Sequence, residues 1–309
     1  MSESNEAQIR SSSVENENEN YLDNQEKFRF IDEIRLHNDN NSVYPYQQDD
    51  NEIDRLHSQH YLLRMVWQNN FSVPIKQQLI EGGMHVLDIG TGSGIWILEM
   101  ASEYPLTTFK GIDVNQLFPT DCSPKNSEFI QCDVLEGLPF EDETFDFVHV
   151  RFLIPAFTQD QWENVLLRET LRVCKIGGWV QFMEWDPRCI NEGPKIKKFT
   201  DNIVEFTKSK HGNPMIAERL DDQLLSTKKF ASVKHEHKYC PTGSWGGTLG
   251  KMGLNDFVQV TKAVSSPFSN FLNMSLQEYE KFVQDCVQEF EVSRTYTKTH
   301  RYYGQKISN

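Results

Sequence analysis

Met84 to Gly94 reads MHVLDIGTGSG: an apolar run, one acid, then three alternating glycines at Gly90, Gly92 and Gly94. The run from Met84 to Ile89 is short, dense in aliphatics and stopped by glycine, which predicts a buried strand. An apolar helical pattern begins at once from about Ser93 to Tyr104, so the whole is a strand-turn-helix. Glycines at such a turn let the backbone come close to a ligand and adopt dihedrals that a Cβ would forbid. The dinucleotide fingerprint needs its third glycine one residue later, where this chain has Ile95. A nicotinamide-dependent dehydrogenase is therefore set aside.

Downstream, strand and helix patterns alternate. Strands are expected at Thr108 to Asp113, Glu128 to Cys132, Phe145 to Phe152 and Trp179 to Trp185, with a helix from Gln159 to Cys174 and a turn at Gly177-Gly178. That alternation builds a parallel, doubly wound α/β sheet. A helix near Met215 to Lys229, a strand at Val233 to Tyr239, a helix from Ser275 to Val292 opened by a Ser275/Glu278 capping box, and a strand at Thr297 to Gln305 complete it. Upstream, Ile53, Leu56, His60, Leu63 and Trp67 recur at helical spacing before Pro74. This helix is expected to lie as a lid over the glycine turn, with Tyr61, Trp67 and Phe71 as candidates for its roof.

The organisation expected is a tail over 1–45, a lid over 46–80 and a catalytic-type domain over 81–309 with helical insertions around 187–229 and 250–292. The first 50 residues carry 12 Asp/Glu against 4 Lys/Arg and few apolar residues, which predicts disorder to about Asn40. Its reading is a solubilising tail, with an arm for protein partners as the other. A net charge of −14 without a basic cluster argues against direct nucleic-acid binding. No apolar run reaches membrane-spanning length, and six cysteines without paired spacing suit reduced thiols, hence the cytoplasm or nucleus.

Three acids end the first three strands: Asp88, Asp113 and Asp133. Ligands in open α/β sheets bind outside those strand ends. Asp113 lies at the distance from Gly90 where a carboxylate meets both hydroxyls of a ribose, and Asp133 after Cys132 is suited to an exocyclic amine of adenine. The pattern VLDIGTGSG, then GIDV, then CDV resembles the class I S-adenosylmethionine-dependent methyltransferases. The resemblance implies a Rossmann-like seven-stranded, mostly parallel sheet of order 3-2-1-4-5-7-6, strand seven antiparallel, with helices on both faces and S-adenosyl-L-methionine as cofactor. By it Asp113 and Val114 meet the ribose, Cys132, Asp133 and Val134 the adenine, Gly90, Thr91, Gly92 and Gly94 the methionine moiety, and Asp88 the methionine ammonium.

With the lid and DFVHVRFL and YYGQK included, the chain is similar to the LaeA-like fungal methyltransferases, relatives of a regulator of secondary metabolism. This implies methyl transfer to a small-molecule or protein acceptor. The other reading is a cofactor-binding regulatory subunit that works through protein partners. The Asp/Asn-Pro-Pro-Tyr motif of amino-group methyltransferases is absent after strand four, where VRFLIPAF stands, so an exocyclic DNA amine is not expected. On the acceptor side stand His149 and Arg151 at the end of strand four and Glu184 and Asp186 at the end of strand five. His149 is the candidate base because imidazole titrates near neutrality. The pairs His57/His60 and His235/His237 lack an evident third ligand, so no metal is expected. Trp245, in a Gly/Ser-rich loop, is a further candidate for acceptor contact.

Overall fold

A computed structural model describes residues 50–308 and the backbone of a two-stranded antiparallel hairpin, Phe28–Ile31 with Ile34–His37. That hairpin falls inside the stretch expected to be disordered; the rest of the expected tail lies outside the described residues.

Seven strands form one sheet: β1 His85–Ile89, β2 Thr108–Asp113, β3 Ser127–Gln131, β4 Phe145–Arg151, β5 Cys174–Trp185, β6 Phe230–Pro241 and β7 Tyr296–Lys306. Their spatial order is β3-β2-β1-β4-β5-β7-β6. Pairs from β3 through β5 are parallel, and β7 runs antiparallel to both β5 and β6. The expected order and the reversed strand seven are both present. The central strands are almost wholly apolar because both faces are covered. Leu87, Ile89, Val148, Val150 and Phe182 join one core with helix α4, and Val86, Phe109 and Phe147 join the other with α3, Ile95–Glu103. Helix α4 runs through Gln159–Gln161, a π turn at Trp162–Leu166 and Leu167–Val173.

Two expectations change in detail. The Gly177-Gly178 turn does not separate helix from strand: β5 already pairs at Cys174 with Phe145, slips register, and resumes pairing at Trp179 with Phe147. The turn is thus a loop-out within the strand. The helix expected from Met215 is split at Arg219 into a 3-10 turn, Pro214–Glu218, and a short helix, Leu220–Ser226, because Pro214 starts the tight turn under an Asn213 cap.

The lid helix α1, Asp50–Trp67, lies against the glycine turn, with Leu56 Cδ1 3.1 Å from where a Gly92 Cβ would stand. Its buried face in the first half is polar: Glu52, Arg55 and Gln59. The insertion explains this. Helix α7, Gly247–Ala263, packs against α1 and buries Asp256 toward it, so Gln59 Nε2 donates to Asp256 Oδ1 at 3.2 Å. Around α7 a third, phenylalanine-rich core gathers α5, Pro194–Ser209, α8, Ser265–Phe271, and α9, Leu276–Ser293, whose Ser275/Glu278 capping box forms as expected. Among the described residues no helix is long and apolar enough to cross a membrane.

Candidate functional site

Two cavities open at the carboxyl ends of the strands and share the walls formed by Gln59 and Phe152. The first, about 170 Å³, is lined by Gly90, Thr91, Gly92, Ser93, Asp113, Val114, Asn115, Cys132, Asp133, Val134 and Arg151 together with Leu56 of the lid. Nearly every residue expected at the cofactor meets here. The turn holds its shape through left-handed glycines. Gly90 has φ +72°, and a Cβ there would stand 2.5 Å from Leu153 Cδ2; Gly94 has φ +75°, and a Cβ there would stand 2.7 Å from Phe129. No L side chain fits either place without strain.

Four N–H groups of this turn are committed internally. Gly90 and Thr91 donate to Ile112 O, Gly94 to Thr91 O, and Gly92 to Asp113 Oδ2 at 2.8 Å. A pyrophosphate cradle needs such donors turned toward the ligand; here they tie the turn to β2. The hydroxyls of Thr91 and Ser93, by contrast, are buried beside the cavity without a partner among the described residues.

Asp113 is the pivot. Oδ2 takes Gly92 N–H and Oδ1 takes Asn115 N–H, one bond per oxygen, which leaves further lone pairs on each. Burial pushes its carboxyl up to about 6, with Asp88 and Glu52 adding to the rise against those two hydrogen bonds. Asp133 lines the cavity and also caps the 3-10 turn Val134–Glu136, accepting Leu135 N–H at 2.9 Å. Each acid therefore anchors local backbone and borders the cavity at once.

Asp88 and His149 lie elsewhere. They are direct register partners on β1 and β4, and Asp88 Oδ1 stands 2.7 Å from His149 Nδ1. Both are buried, and neither borders either cavity. The His149 ring stacks on Trp96 at 4.1 Å, and burial lowers its basicity, against the pull of Asp88. The strand register sets the two side chains against one another in the sheet interior, away from both cavities where a base and an ammonium partner were expected. Arg151, two residues on, reaches the first cavity instead, with Nη1 3.3 Å from His60 Nδ1. His60 Nε2 in turn meets Glu99 Oε2 at 2.6 Å, which ties the lid to α3.

The second cavity, about 260 Å³, lies between the β4–β5 edge and the insertion. Phe152, Trp185, Phe199, Phe206, Phe257 and Phe290 form its aromatic wall. Phe152 has φ +58°, a conformation that a bulky residue adopts only when its surroundings impose it. Its N–H is held by Met183 O and its ring stacks on Trp185, so it stands as a fixed partition between the cavities. Glu184 and Asp186 both border this cavity. Lys298 and His300 answer Asp186 and hold its carboxyl well below the usual range despite burial. Glu184 has no such cation, and burial pushes it up to about 8. Asp256, which no spacing in the sequence singled out, completes the polar part of the wall.

Other candidates fall outside. Tyr61 is exposed; Trp67 is buried beneath Arg301 and donates to Thr299; Phe71 joins the core behind β1. Trp245 donates to Thr242 O and Phe290 O on the far side of α9. His235 stacks on Tyr302 and hydrogen-bonds His300 rather than holding a metal with His237.

Residues 86–178 match the family model described as "Methyltransferase domain". Among curated proteins, "N-methyltransferase verN" of Clonostachys rogersoniana is 31% identical over 164 residues, 51% of this chain and 55% of that protein. "N-methyltransferase gliN" of Aspergillus fumigatus is 23% identical over 281 residues, 87% of this chain and 98% of that one. "Secondary metabolism regulator LAE1" of Cochliobolus heterostrophus is 22% identical, over 74% of this chain and 73% of that protein. The match spans about half the length of verN and of two further curated fungal methyltransferases.

Proposed function

Because the chain belongs to the S-adenosylmethionine-dependent methyltransferases, we propose that it methylates a small acceptor bound in the aromatic cavity behind Phe152. The observation that carries this reading is the pair of adjoining cavities: a polar one built on the glycine turn and a more apolar one that shares with it the walls of Gln59 and Phe152.

The residues of the first cavity fit the donor. Asp113 keeps acceptor capacity for a vicinal diol and would repel a phosphate placed there. Asp133 and the Cys132–Val134 backbone border the place for the adenine. Among the described residues Arg151 is the one cation lining this cavity, which suits the methionine carboxylate, and the Thr91 and Ser93 hydroxyls, without a partner among those residues, suit its polar end. The donor supplies an electrophilic methyl on a sulfonium. What the chain adds is position and dryness: α1 roofs the site, and Phe152 fixes the point of contact between the two ligands.

A cavity of about 260 Å³ lined from α1, β5, α5, α7, α9 and β7 suits a metabolite rather than a protein chain, and the relatives verN and gliN are named for transfer to nitrogen. A place in secondary metabolism or its regulation is supported by the relative named for it, the LAE1 regulator. The reading as a purely regulatory subunit gains no comparable support, since such a subunit has no need of a second, dry cavity. The test is incubation of the purified chain with the donor and a fractionated fungal metabolite extract. S-adenosylhomocysteine should form with the small-molecule fraction and not with the protein fraction. Formation with the protein fraction alone sinks the proposal.

A further inference from the structure

The second cavity has an unbalanced wall. Glu184 is 1% exposed, and its Oε1 accepts two backbone N–H groups, Leu153 at 2.8 Å and Ile154 at 3.3 Å. No described residue donates to Oε2. Asp256 is buried as well; its Oδ1 accepts from Gln59, and no described residue donates to Oδ2. Two cations border the cavity, Arg55, whose charge also acts on Asp256, and the exposed Lys210, and neither donates a hydrogen bond to Glu184 or Asp256 among the described residues. Arg55 makes a two-pronged pair with Glu52, both contacts at 2.7 Å, Lys298 pairs with Asp186, and Lys210 faces solvent. Two carboxyl groups thus border one aromatic cavity, each with an oxygen that has no protein donor. Burying a carboxylate unpaired is expensive, so such an arrangement is retained where a ligand completes it.

Resting on the methyl-transfer reading above, we infer that the acceptor is a small amine on an aromatic or aliphatic body, whose nitrogen hydrogen-bonds Glu184 and gives it a proton before methylation. Glu184 is suited to this by its place. Its bond to Leu153 N–H ties it to the residue that packs on Gly90 and borders the first cavity, so it sits at the seam where the reacting atoms meet. An alcohol would satisfy one oxygen but leave the negative charge unanswered. A carboxylate ligand would add to it. A protonated amine answers both, and the aromatic wall takes its body, with rings also able to face the cation.

The step balances. The step starts from ionised Glu184, the form that predominates above about 8 in the empty cavity and that a bound ammonium favours: the ammonium passes one proton to that carboxylate and becomes a neutral amine. The nitrogen lone pair then forms the N–C bond as the C–S bond breaks, and that electron pair stays on sulfur as a neutral thioether. The product is the methylated ammonium, and the proton on Glu184 leaves to solvent.

The experiment uses the full chain saturated with S-adenosylhomocysteine and titrates two matched sets by calorimetry: phenethylamine, 2-phenylethanol and phenylacetate, then tryptamine, tryptophol and indole-3-acetate. In at least one set the amine should bind at least tenfold more tightly than its alcohol or carboxylate. Glu184→Gln should reduce that preference about tenfold while leaving S-adenosylhomocysteine affinity within twofold, and Asp256→Asn should reduce it by a smaller factor. Folding of Glu184→Gln is checked by thermal melts from pH 5 to 9. A buried acid whose folded pKa is raised stabilises the fold in its protonated form, fully so below its ordinary range. The parent should therefore lose stability as pH rises toward about 8, and the variant should lose less. Equal binding of carboxylate and amine, no response to either amine, or a preference unchanged in Glu184→Gln overturns the inference. Failure to bind S-adenosylhomocysteine at the outset would instead refute the methyl-transfer reading itself.

Discussion

Asp113→Ala should lose S-adenosylmethionine affinity by about a hundredfold in a calorimetric titration, the largest effect of any single change at the first cavity. Two losses combine. The bound ribose hydroxyls lose a charged acceptor, and hydrogen bonds to a charged group contribute about 1.5–3 kcal/mol each. The turn also loses its tie to β2, because Gly92 N–H and Asn115 N–H both end on this carboxyl. A hundredfold change is about 2.7 kcal/mol, within what one such bond and a loosened turn supply. Asp113→Asn separates the two contributions: it keeps an acceptor oxygen for one N–H but no charge, and should fall between parent and alanine. The charge has a pH signature as well. The carboxyl titrates at about 6, raised chiefly by burial, so the form that accepts two donors predominates only above that value. Donor affinity in the parent should rise as pH goes from 5 to 7, and Asp113→Asn should flatten the rise. Unaltered affinity in the alanine variant would show that the ribose lies elsewhere.

His149→Ala should lower stability by about 3–5 kcal/mol in urea denaturation, the range for removing one partner of a buried pair. Deleting the ring strips the Nδ1 partner from Asp88, whose carboxyl lies in the sheet interior, and opens a void against Trp96 and Phe147. The sequence alone made this histidine a base, and the two roles separate cleanly in experiment. His149→Asn presents an amide N–H near the place of Nδ1–H and should recover part of the stability. A base would behave otherwise: turnover would collapse in both variants while the denaturation midpoint stayed put.

Why the sequence offered His149 to the acceptor side, while the structure sets it against Asp88, is a matter of strand register. Alternation along Phe145–Arg151 says that neighbours face opposite ways, but β4 is buried on both faces, so alternation no longer distinguishes cavity from core. Only the pairing of β4 with β1, which sets Asp88 opposite His149, decides it. The first three strands were readable because each is a short run closed by glycine or an acid, and two of those acids, Asp113 and Asp133, reach the cavity. The lid was readable as a helix but not in the face it buries. Glu52, Arg55 and Gln59 go inward because α7, some two hundred residues away, brings Asp256 to meet them. The aromatic cavity was invisible for the same reason: its phenylalanines are scattered from Phe152 to Phe290 and converge only when the insertion folds onto the sheet. A hint was present in the density of phenylalanine at helical spacing through Phe199, Phe206, Phe257, Phe268 and Phe290.

The account stands or falls on the donor. Titration of S-adenosylmethionine into the full chain should give saturable binding of one molecule per chain, displaced by S-adenosylhomocysteine and untouched by excess NADH. Saturable binding of NADH that S-adenosylmethionine cannot displace, or no heat with either sulfur ligand, would contradict it.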